Sequence, residues 1–175
     1  MYSFAIKKKS IVLILNETIV VLTMSAMIPF IVHLLPLPGK VPLGAIFLPL
    51  FYAPFVAVVL FRPSVSIISA LAAPFLNQML TGNPGFEKAI VLTLELLLFT
   101  LVAQTLWRQE KYFWGAAVLS YVVSKALSVL LLWKILLVIP GMPGVEYFLR
   151  SIRTALPGIG ILFLMNMYLK GIKGR

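Results

Sequence analysis

Cysteine and aspartate are both missing from this 175-residue chain, histidine occurs once, and charged residues of either sign make up only 11%. Without cysteine there is no thiol nucleophile, thiolate metal site or disulfide. Without aspartate, and with His33 as the single imidazole, paired-aspartate chemistry and two-histidine metal centres are excluded. A Ser-His pair would have to use His33, and no nucleophile motif accompanies it. His33 also has no second histidine or carboxylate at metal-ligand spacing. No Gly-x-x-x-x-Gly-Lys loop is present, so the chain is not expected to hydrolyse ATP itself. These absences argue against an enzyme and imply no cofactor.

What fills the chain instead is apolar: 61% hydrophobic residues and a mean hydropathy of +1.05. That composition belongs to an integral membrane protein. The apolar runs nearly consume the length and leave no linker between them, so residues 1–175 read as a single transmembrane domain. The net charge of +10 is scattered in short pieces between the runs, where Lys and Arg orient a membrane protein and do not make a nucleic-acid surface.

Six runs suit helical spans, at about 11–35, 41–61, 64–80, 89–107, 113–137 and 155–169. The first follows Lys7, Lys8 and Lys9 as a signal peptide would. It is too long, carries Asn16 and Glu17, and lacks a convincing cleavage site, so it reads as a retained helix. Pro42, Pro49 and Pro54 in the second run and Pro74 in the third release backbone carbonyls, so these helices are expected to be kinked or broken. With both termini on one side, nine basic residues (Lys7, Lys8, Lys9, Arg62, Arg108, Lys111, Lys170, Lys173, Arg175) face five (Lys40, Lys88, Lys134, Arg150, Arg153). The excess places both termini in the cytoplasm of a multi-pass cell-membrane protein. The outer connections around Pro36 to Lys40, Gly82 to Gly85 and Pro140 to Gly144 read as irregular loops, and Trp107, Trp114 and Trp133 at span ends read as headgroup anchors.

A charge at bilayer depth costs at least ~2.5 kcal/mol, which makes Glu95 and Lys125 the residues to explain. At 1.5 Å per helical residue, Glu95 lies about 10 Å and Lys125 about 13 Å from the outer surface. Asn77 and Gln78 fall in the same half, and Tyr121 is one turn from Lys125. Several roles stay open here. Glu95 and Lys125 are a ligand site or a structural ion pair; Lys125 alternatively reaches Glu17; Asn77 and Gln78 are ligands or interhelical glue.

The stretch Ile28 to Pro49 (IPFIVHLLPLPGKVPLGAIFLP), then Pro54 and Pro63, Ala73 to Pro84 (APFLNQMLTGNP) and Leu92 to Phe99 (LTLELLLF) resembles the S components of energy-coupling-factor (ECF) transporters. The shared elements are Pro29 and His33 closing the first helix, Pro74 and Asn77 in the third, the turn Thr81 to Pro84, and Glu95 with Leu96 in the fourth. The resemblance covers about residues 24–107. The small-residue pair four apart that such first helices often carry is missing; Thr18, Leu22, Ser25 and Ala26 stand in its place. The Tyr-Gly that commonly follows the Glu-Leu pair is also absent.

What the resemblance implies is an all-α, six-helix membrane subunit that captures a vitamin-like small molecule from outside. It would work with a transmembrane coupling subunit and two cytoplasmic ATPases, without a metal or nucleic acid. Glu95, Lys125, Asn77, Gln78, Tyr121 and His33 would then supply polar contacts to substrate, the loop Pro36 to Lys40 would cap the site, and the first-helix face of Thr18, Leu22, Ser25 and Ala26 would meet the coupling subunit. A membrane scaffold of cell-envelope assembly, similar in size and helix count to rod-shape proteins, is the alternative.

Overall fold

Proline sets most of the helix boundaries in the computed structural model, which describes residues 2–34, 41–109, 114–135 and 144–173. The order is α1 (Tyr2–His33), α2 (Leu43–Phe47), α3 (Pro49–Leu60), α4 (Pro63–Thr81), α5 (Phe86–Trp107), α6 (Ala116–Ile135), α7 (Gly144–Thr154) and α8 (Leu156–Lys173), with no strand among the described residues. α1 begins before the three lysines and not after them, because nothing in the Lys7 to Ser10 stretch breaks a helix.

The second apolar run is divided in two. Pro49 cannot donate a backbone bond and drives its predecessor out of the right-handed helical region, so Leu48 sits at φ 53°, ψ 39° between α2 and α3. A left-handed leucine costs about 1–2 kcal/mol, and two contacts hold it. The Tyr52 hydroxyl donates to the Phe47 carbonyl, and α8 presses Gly158 against the same peptide. A Cβ on Gly158 would stand 2.7 Å from the Phe47 carbonyl carbon and oxygen, so only glycine permits that approach. α4 starts with Pro63 in its first turn and ends at Gly82, whose φ of 71° lets its N–H return to the Gln78 carbonyl at 2.8 Å.

The segment between α6 and α8 departs most from expectation. Gly144 to Thr154 is an amphipathic helix and not part of a loop, with Tyr147, Phe148 and Ile152 half-buried and Glu146, Arg150 and Arg153 exposed. Pro157 cannot bond back to the Arg153 carbonyl, and the chain bends by 62° from α7 into α8.

α3 is the hub. It packs against α1, α4, α5 and α8, while α1 abuts α4, α4 abuts α5, α5 abuts α6 and α6 abuts α8. Its Phe51, Tyr52, Ala53, Phe55, Ala57 and Val59 are all buried. Two apolar clusters result. One joins α3 to α5, α6 and α8 through Phe51, Phe55, Leu96, Phe99, Tyr121 and Leu162; the smaller joins α1, α3 and α4 through Val21, Ala53, Ala57 and Val65. Trp107 belongs to the first cluster, edge-on to Phe55 at 5.8 Å, so it is a core residue and not a headgroup anchor. Trp114 is 58% exposed, with the Lys170 ammonium 3.1 Å from its ring centre; the Trp133 side chain lies outside the described residues.

Large apolar side chains also cover the outside, among them Ile11, Met27, Leu130 and Leu164. Among the described residues four helical segments are long and apolar enough to cross a membrane, at Ile11–His33, Leu43–Leu60, Pro63–Thr81 and Phe86–Trp107, and five if the bent pair Gly144–Thr154 and Leu156–Ile172 counts as one. The apolar part of α6, Ala116–Leu132, is shorter. An all-helical body with an apolar exterior is the form a membrane-embedded protein takes.

Candidate functional site

The buried side of α6, which packs against α5, α7 and α8, is built from small residues. Ala117, Ser120, Ser124 and Ser128 recur at helical spacing on the buried face of α6, where side chains this size let two backbones approach. Each serine is satisfied locally, Ser120 donating to the Ala116 carbonyl at 2.5 Å, Ser124 to Tyr121 at 2.9 Å and Ser128 to Lys125 at 3.0 Å.

Into the α5–α6 seam α5 turns Glu95 and α6 turns Lys125. Their side chains are 4% and 11% exposed, and Lys125 Nζ lies 2.7 Å from Glu95 Oε1. The structure therefore pairs Lys125 with Glu95 and not with Glu17. Ser128 Oγ is 3.3 Å from the same carboxylate oxygen; its single proton serves either Glu95 or the Lys125 carbonyl. The ring of Tyr147 on α7 stands 5.5 Å from the Lys125 ammonium, within cation–π range. One turn along α6, buried Tyr121 packs edge-on to Phe51 at 5.3 Å, and Phe51 meets Phe99 edge-on at 5.2 Å.

The result is a neutral pair of charges with an aromatic wall on one side and an amphipathic helix beside it. Withdrawing both ions from water is costly, and their mutual attraction offsets that cost only while they stay together. A ligand carrying its own carboxylate or ammonium, or a strong hydrogen-bonding edge, is the chemistry that can exchange with such a pair. Among the described residues no group of three His, Cys, Asp or Glu side chains gathers to hold a metal.

Asn77 is engaged elsewhere. Its amide donates to the Ser25 carbonyl of α1 at 2.8 Å and to the Ala73 carbonyl at 3.0 Å. The reason lies in α1: Pro29, four residues after Ser25, has no N–H to give that carbonyl, and Asn77 supplies the missing donor. Gln78 is half-buried beside it, and His33 is exposed at the end of α1. Thr18 and Ser25 are buried within the chain, whereas Leu22 and Ala26 are half-buried. The loop Pro36 to Lys40 lies outside the described residues.

Three contributors escape a reading by hydropathy. Ser128 was legible only as the last member of a Ser-x-x-x-Ser-x-x-x-Ser repeat, and Tyr147 only through the helical period of 144–154. Asn166 of α8 accepts the Ala117 N–H at 3.1 Å and donates to the Trp114 carbonyl at 3.0 Å, fixing the first turn of α6. Compared with family models, curated proteins and solved structures, the chain matches none.

Proposed function

We propose that the chain is the membrane-embedded, substrate-binding S component of an ECF-type importer for a vitamin-like small molecule. The observation that carries the reading is the Glu95–Lys125 pair, buried at 2.7 Å between α5 and α6, with Tyr147 against Lys125 and buried Tyr121 one turn along α6. Intramembrane ionisable residues mark functional sites by default. The interrupted α2–α3 segment and the bent α7–α8 segment contribute Phe51 and Tyr147 to the same surroundings, which agrees with binding at broken helices.

In this reading the spans are α1, α2 with α3, α4, α5, α6 and α8; both termini are cytoplasmic, and α7 lies at the outer surface. The coupling subunit and two ATPases supply the energy, consistent with the lack of a phosphate loop in this chain. Cysteine labelling should place Lys8, Arg62, Lys111 and Lys173 inside and Lys40, Lys88 and Pro143 outside. An external C-terminus would overturn the six-span arrangement.

Native mass spectrometry of the purified protein should find a retained small molecule, lost in Glu95→Gln. Accumulation in cells should require the coupling subunit and the ATPases. Concentrative uptake by the chain alone in liposomes, with no ATP, would end the S-component reading. One observation favours the scaffold reading: Glu95 and Lys125 already satisfy each other. A protein that never retains a ligand, and whose charge pair matters to stability alone, would be that scaffold.

A further inference from the structure

Helix α7 has three faces, and its contact with Lys125 uses only one of them. Tyr147 and Ser151 are half-buried against the rest of the chain, with the Tyr147 ring 5.5 Å from the Lys125 ammonium. Val145 and Leu149 form a second stripe, about 40° apart around the helix, and are 73% and 47% exposed. Glu146, Arg150 and Arg153 form a third, within about 60° of one another and all exposed. Water disfavours the bare apolar stripe and hydrocarbon disfavours the arginines, so the boundary between the two media is where this helix is stable.

The backbone agrees with that placement. Between α7 and α8 the chain turns by 62°, and the 18 residues of α8 are about 27 Å long, close to the thickness of the hydrocarbon layer. With α8 as a span near the membrane normal, α7 lies nearer to the membrane plane than to the normal. Exposed apolar side chains continue beyond the bend as Leu156, Phe163 and Leu164 of α8. The arginines are also unspent. No ion pair among the described residues takes up Arg150 or Arg153, although Glu146 sits one turn before Arg150.

We propose that α7 is an in-plane membrane helix whose Arg150 and Arg153 hold the phosphodiester of an anionic phospholipid, with Val145 and Leu149 against its acyl chains. Guanidinium groups match phosphate oxygens in both geometry and charge. Two arginines and one glutamate leave the stripe with one positive charge, which a headgroup of one net negative charge neutralises. A zwitterionic headgroup brings its own ammonium to the same place and gains less. Free phosphate suits the arginines but leaves the apolar stripe uncovered, so a lipid is the occupant. The proposal rests on α8 crossing the membrane and not on the importer reading.

The test uses the full chain in phosphatidylcholine nanodiscs doped with a lipid probe that carries a photoreactive diazirine in its acyl chain, the headgroup being either phosphatidylglycerol or phosphatidylcholine. Fragment mass spectrometry should locate adducts on the Val145–Leu149 segment, at least about fivefold more of them with the phosphatidylglycerol probe. Arg150→Gln combined with Arg153→Gln should bring that ratio near one while labelling at exposed Leu164 stays constant, and Arg153→Gln alone should fall between. Excess inorganic phosphate should leave the ratio unchanged. A protein labelled at Leu164 but never on α7 would overturn the in-plane placement. Equal labelling by the two probes, or a preference that survives the double variant, would overturn the headgroup site. So would loss of the preference in inorganic phosphate, since the arginines would then hold a free anion.

Discussion

The α5–α6 and α1–α4 seams are both close helix contacts lined with alanine and serine, and they treat their polar atoms in opposite ways. On α6 every buried serine bonds its own backbone, and the two charges of the α5–α6 seam meet each other at 2.7 Å. In α1–α4 the Asn77 amide repairs the carbonyl that Pro29 leaves open, while Thr18, Ser25 and Ser69 hydroxyls and one Glu17 oxygen go without a partner. Small residues bring helices together in either case; they do not by themselves dictate satisfaction. The first seam is electrically closed, and opening it requires something that replaces both partners. The second has spare oxygen valence.

The sharpest way to break this contrast is to remove one charge from the closed seam. Glu95→Gln or Lys125→Met should each destabilise the protein by about 3–5 kcal/mol in denaturation experiments, because the survivor is left buried and unpaired. The double variant should recover most of that loss. If the pair also binds ligand, the double variant melts near the wild-type temperature yet retains no small molecule in native mass spectrometry. Single variants as stable as the parent would show that the seam is not closed.

Gly158→Ala comes next. It leaves both seams intact but drives a methyl into the Phe47 peptide, so it should cost about 1–3 kcal/mol by thermal melting. No loss would mean that α8 does not press on the α2–α3 break. Asn77→Ala sharpens the comparison from the other side. It strands the Ser25 carbonyl, and a loss of about 1 kcal/mol is expected, since hydrogen bonds between membrane helices are worth little more. A gain in stability would contradict the role assigned to Pro29. The smallest effect belongs to Tyr147→Leu, which removes the ring beside Lys125 and should cost about 0.5–1 kcal/mol, read as a modest fall in melting temperature.

Glu95, Lys125 and Tyr121 were legible as a group because charge in an apolar run is rare and helical rise fixes depth. Asn77 was grouped with them by its place along the third run, and its amide turns to α1 instead. Hydropathy locates a residue along the membrane normal and says nothing of which neighbour it faces. Thr18 and Ser25, expected to meet another subunit, are covered by this chain's own helices. The Leu48 break was foreseeable from Pro49, whereas the choice among Pro42, Pro49 and Pro54 was not. Pro54 stays inside α3 and Pro74 inside α4 without dividing either. Helix α7 was hidden by its composition, since a span-length window averages its arginines with its apolar residues.

Composition alone decided that this chain is helical and apolar on the outside, because hydrocarbon leaves the backbone no partner except itself. It decided too that Glu95 and Lys125 required an explanation, because isolated charge at that depth is costly. Only the tertiary structure decided that the two explain each other, that Asn77 serves Pro29, and that Glu17 does neither. Those outcomes depend on which helix faces which across α3, and that order is set by packing between segments far apart in the chain, which no local pattern of residues encodes.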